Sequence, residues 1–271
     1  KVYGKNINNF FQNIITNDIN NLSDSNPIYT AMLSPQGKYL YDFIVLQDKN
    51  CFLLEVNSCS VNNLIDAIKK YDIRNDISIE LTEEYYTKVI VTENLNNNYF
   101  DKIYKIGVCR EEGFLFFLDP RSKDFLYRFW FYNKPNNHLN IKFSEEKVIE
   151  KKRILRKIPN SKLDLVFNKS FVLNYNFENI NALSFNKGCY IGQENTARQK
   201  FRGNQKYSLQ NIKFINEITP KLNEDIFYKG AKIGTMKSRC DDIALCLMRK
   251  DFSETNTDYI NTDSKCAFKI L

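Results

Sequence analysis

Residues 186 to 203 read NKGCYIGQENTARQKFRG. Three of the nine glycines in a 271-residue chain, Gly188, Gly192 and Gly203, fall in this stretch with one cysteine, one glutamate and four cations. Glycine permits positive φ and lets a backbone approach a ligand closely. Gln193 and Glu194 add an amide and a carboxylate, which suit a heterocycle with mixed donors and acceptors. Lys187, Arg198, Lys200 and Arg202 suit an anionic tail. Cations close in space to Cys189 would favour its thiolate. The bland alternative is a Gly-rich connection with Cys189 as a small buried residue. Glu194 to Arg198 reads as a turn of helix or as the entry to a strand.

The chain around this stretch has room for two or three modules with real cores. Apolar residues make up 43% and the mean hydropathy is −0.46, values of a globular chain rather than a disordered one. No apolar run reaches the roughly 18 residues of a membrane span. The first residue is Lys1 rather than Met, and the N-terminal residues carry no pattern of a signal peptide. The net charge of +7 comes from 39 bases interspersed with 32 acids. That balance fits a solvated Lys-rich surface, with an anionic ligand tail or RNA as the alternative partner. Seven cysteines without a C-x-x-C pair argue against a disulfide framework and a common zinc site. One histidine, His138, leaves almost no material for Ser-His or Cys-His catalysis. A reducing compartment is expected: bacterial cytoplasm, with the mitochondrial matrix as the alternative.

Upstream, INNFFQNII predicts an amphipathic helix ending near Asn17-Asp18. Asn17 and Asp18 are read as a helix C-terminal cap or as ligand contacts. Strands are expected at Tyr29–Leu33, Tyr39–Gln47 and Cys51–Val56, forming an antiparallel meander through SPQG and DKN turns. Tyr41 and Asp42 then face opposite sides of one strand, and Asp42 is the cavity candidate. A helix comes next with Val61, Leu64, Ile65 and Ile68 on one face, then a short strand near residue 80. Further strands are expected at KVIVT, IGVC, FLFFL and YRFWFY, with a helix around 99–103 and Asn-rich loops at 94–98 and 133–137. SEEKVIEKKRILRKI predicts a helix with Ser144 as N-cap and Val148, Leu155 and Ile158 on one side. From Lys206 the strands suit a compact β-barrel. Asp119 and Arg121 are read as a structural turn and ion pair, Trp130 as core, and the cysteines other than Cys189 as packing residues.

K-G-C-Y-x-G-Q-E-x-x-A-R, with the trailing K-F-R-G, resembles the signature of the YgfZ-type folate-binding proteins, a family that shares its fold with the aminomethyltransferase (T-protein) of the glycine cleavage system. FFQNIITNDI, MLSPQGKYLYDFIV, DPRSKDFLYR and KGAKIGTMKS are similar to further family blocks, in the same order. Leu126 stands where glycine is usual. The resemblance implies an α+β, T-protein-like fold: a folate-binding region (1–86), a ferredoxin-like middle segment (87–160), a return segment carrying KGCYIGQE (161–205) and a C-terminal β-barrel (206–271). It implies tetrahydrofolate or a one-carbon derivative as ligand. Asn17, Asp18, Tyr41, Asp42, Lys187, Gln193, Glu194 and Arg198 are the candidate contacts, and Cys189 is the functional cysteine. It further implies work with iron–sulfur assembly factors on [4Fe–4S] client enzymes, including a tRNA-modifying one, through a transient cluster, a thiol adduct or a client contact at Cys189. The aminomethyltransferases carry an adjacent Asp pair where this chain reads Tyr41-Asp42, so aminomethyl transfer is the second reading and an RNA-binding module the third. Direct nucleic-acid binding and membrane association are not expected.

Overall fold

The computed structural model describes residues 1–82, 86–91, 107–122, 126–132, 143–203, 205–255 and 260–271. The helix expected around 99–103 and both Asn-rich loops lie outside these residues. The chain forms two compact units: 1–33, 41–149 and 180–191 make the first, and 34–40, 150–179 and 192–271 the second.

The first unit holds two sheets. One has five strands, β1 (Val2–Gly4), β2 (Ile28–Leu33), β3 (Tyr39–Asp48), β4 (Cys51–Glu55) and β5 (Ile77–Ile79), in the order β2-β3-β4-β1-β5. All six residues of β2 are buried, the polar Thr30 among them. The turn at Lys49-Asn50 pairs Asp48 with Cys51 across an antiparallel hairpin, as the DKN signal predicts. Helix α1 (Ile7–Ile14) buries Phe11 and Ile14, and Phe11 meets Phe52 edge-on at 5.5 Å. Helix α2 (Val61–Tyr71) buries Leu64 and Ile68, four residues apart on one face.

The second sheet of this unit contains β6 (Tyr86–Val91), β7 (Val108–Glu111), β8 (Phe114–Leu118) and β9 (Leu126–Phe131), all antiparallel, in the order β6-β9-β8-β7. Phe116 and Phe129 are register partners and stack at 5.1 Å. Phe114, Phe131 and Phe143 extend that cluster. Leu126, in glycine's usual place, is buried in β9. Trp130 is core, edge-on to Phe117 at 5.2 Å.

In the second unit, β10 (Tyr207–Phe214), β11 (Asp225–Tyr228), β12 (Ala231–Cys240), β13 (Ile243–Arg249), β14 (Ile260–Asn261) and β15 (Ala267–Ile270) run in the order β11-β12-β13-β10-β15-β14. The sheet curls until its ends meet. The Asp263 carboxylate accepts from the N–H groups of Lys229 and Gly230 at 2.8 Å each, and its own N–H donates to the Phe227 carbonyl. Phe268, Met236, Met248 and Cys246 fill the interior.

Three expectations need correction. Helix α1 stops at Ile14, and Asp18 instead caps a short 3-10 turn at Ile19–Asn21 by accepting from the Asn20 N–H. Helix α3 (Glu146–Leu155) starts after Glu145, whose carbonyl accepts from Val148 and Ile149. Its inner face carries Ile154 and Arg153, while Val148 and Leu155 are exposed. The buried guanidinium of Arg153 is satisfied by Glu150 (2.7 Å), Ser238 Oγ (2.7 Å), Asp164 (3.3 Å) and the Ile158 carbonyl. A periodicity that counts only apolar residues places such a helix on the wrong face. Lastly, Cys59 is exposed, its Sγ 3.1 Å from Asn57 Oδ1, so it is not a packing residue.

Candidate functional site

A cavity of about 570 Å³ opens in the first unit, within the range of pockets that bury a drug-sized ligand. Its walls include Asn17, Asn26, Tyr29, Pro120, Tyr127 and Asn181, and among the described residues no charged side chain lines it. Three distant chain segments are tied together around it. Asn17 Nδ2 donates to the carbonyls of Tyr29 (2.8 Å) and Asn181 (2.7 Å). Asn181 Nδ2 donates to the Pro120 carbonyl at 3.1 Å. Asn181 takes the left-handed φ of 57°, which asparagine tolerates better than other side chains. Gly107 closes one wall with φ of 78°. A Cβ there would stand 2.0 Å from the Ser25 carbonyl oxygen, so no side chain fits.

Tyr29 is held from two sides. Its hydroxyl donates to Asp42 Oδ2 at 2.6 Å, and the Arg121 guanidinium lies 5.3 Å from its ring centroid. Arg121 and Arg128 both bind the fully buried Asp119, at 2.8 and 2.7 Å. Burial alone would push the Asp119 pKa up, yet the two guanidinium charges hold it well below the usual carboxylate range. Arg128 continues to Glu55, which also accepts from the Trp130 indole. Asp119 and Arg121 are thus the structural ion pair read from DPR, extended by a second arginine.

Of the predicted contacts, Asn17 lines the cavity directly. Asp18 accepts from Gln12 Nε2 at 2.9 Å and caps the 3-10 turn. Asp42 reaches the cavity through Tyr29, while Tyr41 has its hydroxyl pKa raised by burial and by the charge of Asp66 on α2. The Lys187 amine crosses from the KGC loop to the carbonyls of Ile15 (2.8 Å) and Asn17 (2.7 Å). Burial lowers its pKa to about 8, against the opposing pull of Asp18. Cys189, two residues on, is exposed, and the loop is pinned again where the Ile191 N–H donates to the Asn13 carbonyl. Gln193, Glu194 and Arg198 belong to the second unit, on helix α4 (Gln193–Phe201). Glu194 and Arg198 pair with each other at 2.6 Å, both largely exposed. Among the described residues no cluster of three His, Cys, Asp or Glu side chains is arranged to hold a metal ion, and no helix is long and apolar enough to cross a membrane.

Tyr29, Tyr127, Asn181 and Gly107 carry no site motif in the sequence. Only Gly107, in I-G-V-C, has a local signal. Asn181 acts through partners more than sixty residues away, and Tyr29 and Tyr127 offer ring faces, which no spacing rule reports.

No family model matches the chain. An iron–sulfur cluster assembly factor IBA57 homolog (mitochondrial) of Neurospora crassa is 28% identical over 218 residues, covering 74% of this chain and 48% of that protein. The corresponding homolog of Dictyostelium discoideum is 25% identical, over 75% of this chain and 57% of its own length. The tRNA-modifying protein YgfZ of Blochmanniella pennsylvanica is 23% identical, over 82% and 71%. The crystal structure of the glycine cleavage system aminomethyltransferase T from Bartonella henselae superposes with a TM-score of 0.68, covering 99% of this chain and 81% of that one, at 12% identity. Over most of its length the chain is similar to the YgfZ and IBA57 proteins. Its fold is the α+β fold of the T-protein, as the blocks from FFQNIITNDI to KGAKIGTMKS imply. The chain spans about half the length of the two IBA57 homologs it matches.

Proposed function

We propose that this YgfZ-type protein binds reduced folate in the 570 Å³ cavity and serves as an accessory factor in maturation or repair of [4Fe–4S] enzymes. The observation that carries the folate reading is the wall chemistry. A neutral enclosure of side-chain amides and two tyrosine rings matches a pterin, which is flat, uncharged and edged with both donors and acceptors. The iron–sulfur reading draws on the names of the IBA57 relatives, and a tRNA-modifying client on the name of the YgfZ relative. Cys189, exposed on a loop anchored by Lys187, is the group we assign to a transient cluster, a thiol adduct or a client. Iron–sulfur assembly factors and client enzymes are the proposed partners, in a bacterial cytoplasm or a mitochondrial matrix. Aminomethyl transfer has less support, because Tyr41 stands in place of the first acid and Asp42 already accepts the Tyr29 hydroxyl.

Titration calorimetry with tetrahydrofolate tests the binding. A ligand that binds only the native state stabilises it by RT ln(1 + [L]/Kd), about 2.7 kcal/mol at one hundred times Kd. We expect saturable heat and a rise in Tm. No heat and no shift in Tm at millimolar tetrahydrofolate would sink the reading. For the cluster role, a Cys189→Ser chain should fold and bind folate normally but fail to restore a [4Fe–4S] enzyme in a strain lacking its own copy.

A further inference from the structure

A second cleft, of about 290 Å³, opens in the first unit and shares no lining residue with the larger cavity. Helix α2 forms one wall with Val61, Leu64, Ile65 and Ile68, and strands of both sheets form the rest. The buried part of the lining is Val2, Leu53, Leu64, Ile68 and Trp130: four aliphatic side chains and one indole. Lys1, Ser58, Glu80, Thr82 and Thr87 also border the cleft, but all are partly or fully exposed and mark its open side. Inside, the polar side chains among the described residues are Trp130 and Glu55. The indole has a single N–H, and it already donates to Glu55. Arg128, which is not part of the lining, holds the same carboxylate through its other oxygen. A carboxylate has about four acceptor sites, so lone pairs remain on Glu55 after these two bonds. Its side chain is 24% exposed, so the group is fixed in place without being sealed off.

We propose that this cleft is a second ligand site, for a small neutral apolar molecule carrying one O–H or N–H donor, with Glu55 as acceptor and Trp130 as aromatic wall. An apolar cavity of about 150 Å³ takes benzene. Roughly twice that space holds two fused rings or a chain of similar bulk. The aliphatic lining supplies affinity through the apolar area it removes from water, and one placed polar group supplies orientation. Arg128 already balances the charge of Glu55. A neutral donor therefore suits the carboxylate better than a cation, whose desolvation nothing would offset. Imperfect packing of α2 on the sheets would leave a gap with no preference among apolar molecules of one shape. A carboxylate in the wall creates such a preference, for the molecule that can donate.

The isotope-labelled full chain is titrated with 2-naphthol, two fused rings with one O–H, and followed by nitrogen–proton correlation spectra. Trp130 is the single tryptophan, so its indole N–H gives one resonance, and that N–H lies in the cleft on Glu55. The resonance should shift saturably. 2-Methoxynaphthalene has nearly the same shape but no donor, and its Kd should be about 10-fold higher. The double variant Val61→Phe/Ile65→Phe enlarges two half-buried side chains of the α2 wall. It should weaken 2-naphthol by about 10-fold, because the apolar area left for the ligand shrinks. The spread of the amide resonances verifies folding. If the double variant does not fold, Val61→Phe alone, at the first residue of α2, should weaken binding by about threefold. No shift of the Trp130 resonance at millimolar 2-naphthol would overturn the proposal. So would equal affinities for the two probes, or an unchanged affinity in the folded variants.

Discussion

Lys187 sits in an environment that a lysine amine ordinarily avoids. Its amine is half-buried, beside the Tyr190 ring at 5.0 Å, with two carbonyls as acceptors. A neutral amine still has two hydrogens, so both bonds survive loss of the third proton. Burial lowers the pKa from 10.5 to about 8. Between these values the unfolded chain holds a proton that the native one has released. The slope of unfolding free energy with pH tracks the excess of protons on the unfolded state, so this group makes stability rise from about pH 8 to pH 10. Urea unfolding at pH 7.5 and 9.5 checks it. The wild type should gain relative to Lys187→Met across that interval, and a constant difference would show that the amine keeps its ordinary pKa. The KGC motif marks Lys187 in the sequence, but as a cation for a ligand tail. Its partners lie about 170 residues upstream, and no local pattern identifies backbone carbonyls as acceptors.

At the scale of elements, turn chemistry and strand alternation were legible, and the contacts that turns make were not. SPQG reads as a turn between strands. The fold adds that Gly37, at φ 73°, packs on the start of α4. A Cβ there would lie 3.0 Å from Asn195 Cβ and 3.1 Å from the Gly192 carbonyl oxygen. Asn195 Nδ2 also donates to the Gln36 carbonyl at 3.0 Å. Two motif blocks that look independent, one at residue 37 and one at 192, are therefore one packing unit. Gly37→Ala places an L-residue in the left-handed region, at about 1–2 kcal/mol, and adds a crowded contact. We predict a loss of about 2 kcal/mol in urea unfolding. A loss below about 0.5 kcal/mol would mean that the turn gives way freely. Helix α3 shows the opposite failure of pattern reading. Arginine scores as surface, yet Arg153 is the buried residue because Glu150, one turn back, and Asp164 and Ser238 from elsewhere in the chain complete its bonds.

For the whole molecule, the chain path constrains how the two units unfold. It passes between them at 33/34, 40/41, 149/150, 179/180 and 191/192. Two of those passages occur inside regular elements, since β3 continues through 40/41 and α3 through 149/150. Neither unit is a contiguous piece of chain, and β3 and α3 each have residues in both. A chain of this length often unfolds in stages. The shared strand and helix argue instead for one transition. Trp130 is the single tryptophan and sits in the first unit, so its fluorescence reports that unit alone. Phe268 is fully buried in the core of the second. Phe268→Ala should cost about 3–5 kcal/mol by transfer and cavity terms. If unfolding is coupled, the Trp130 transition moves to lower denaturant by the same amount as the far-UV circular dichroism transition, and the two curves stay superimposed. If the units unfold separately, the Trp130 curve stays where it was while the circular dichroism curve splits, and the one-transition argument from chain path fails.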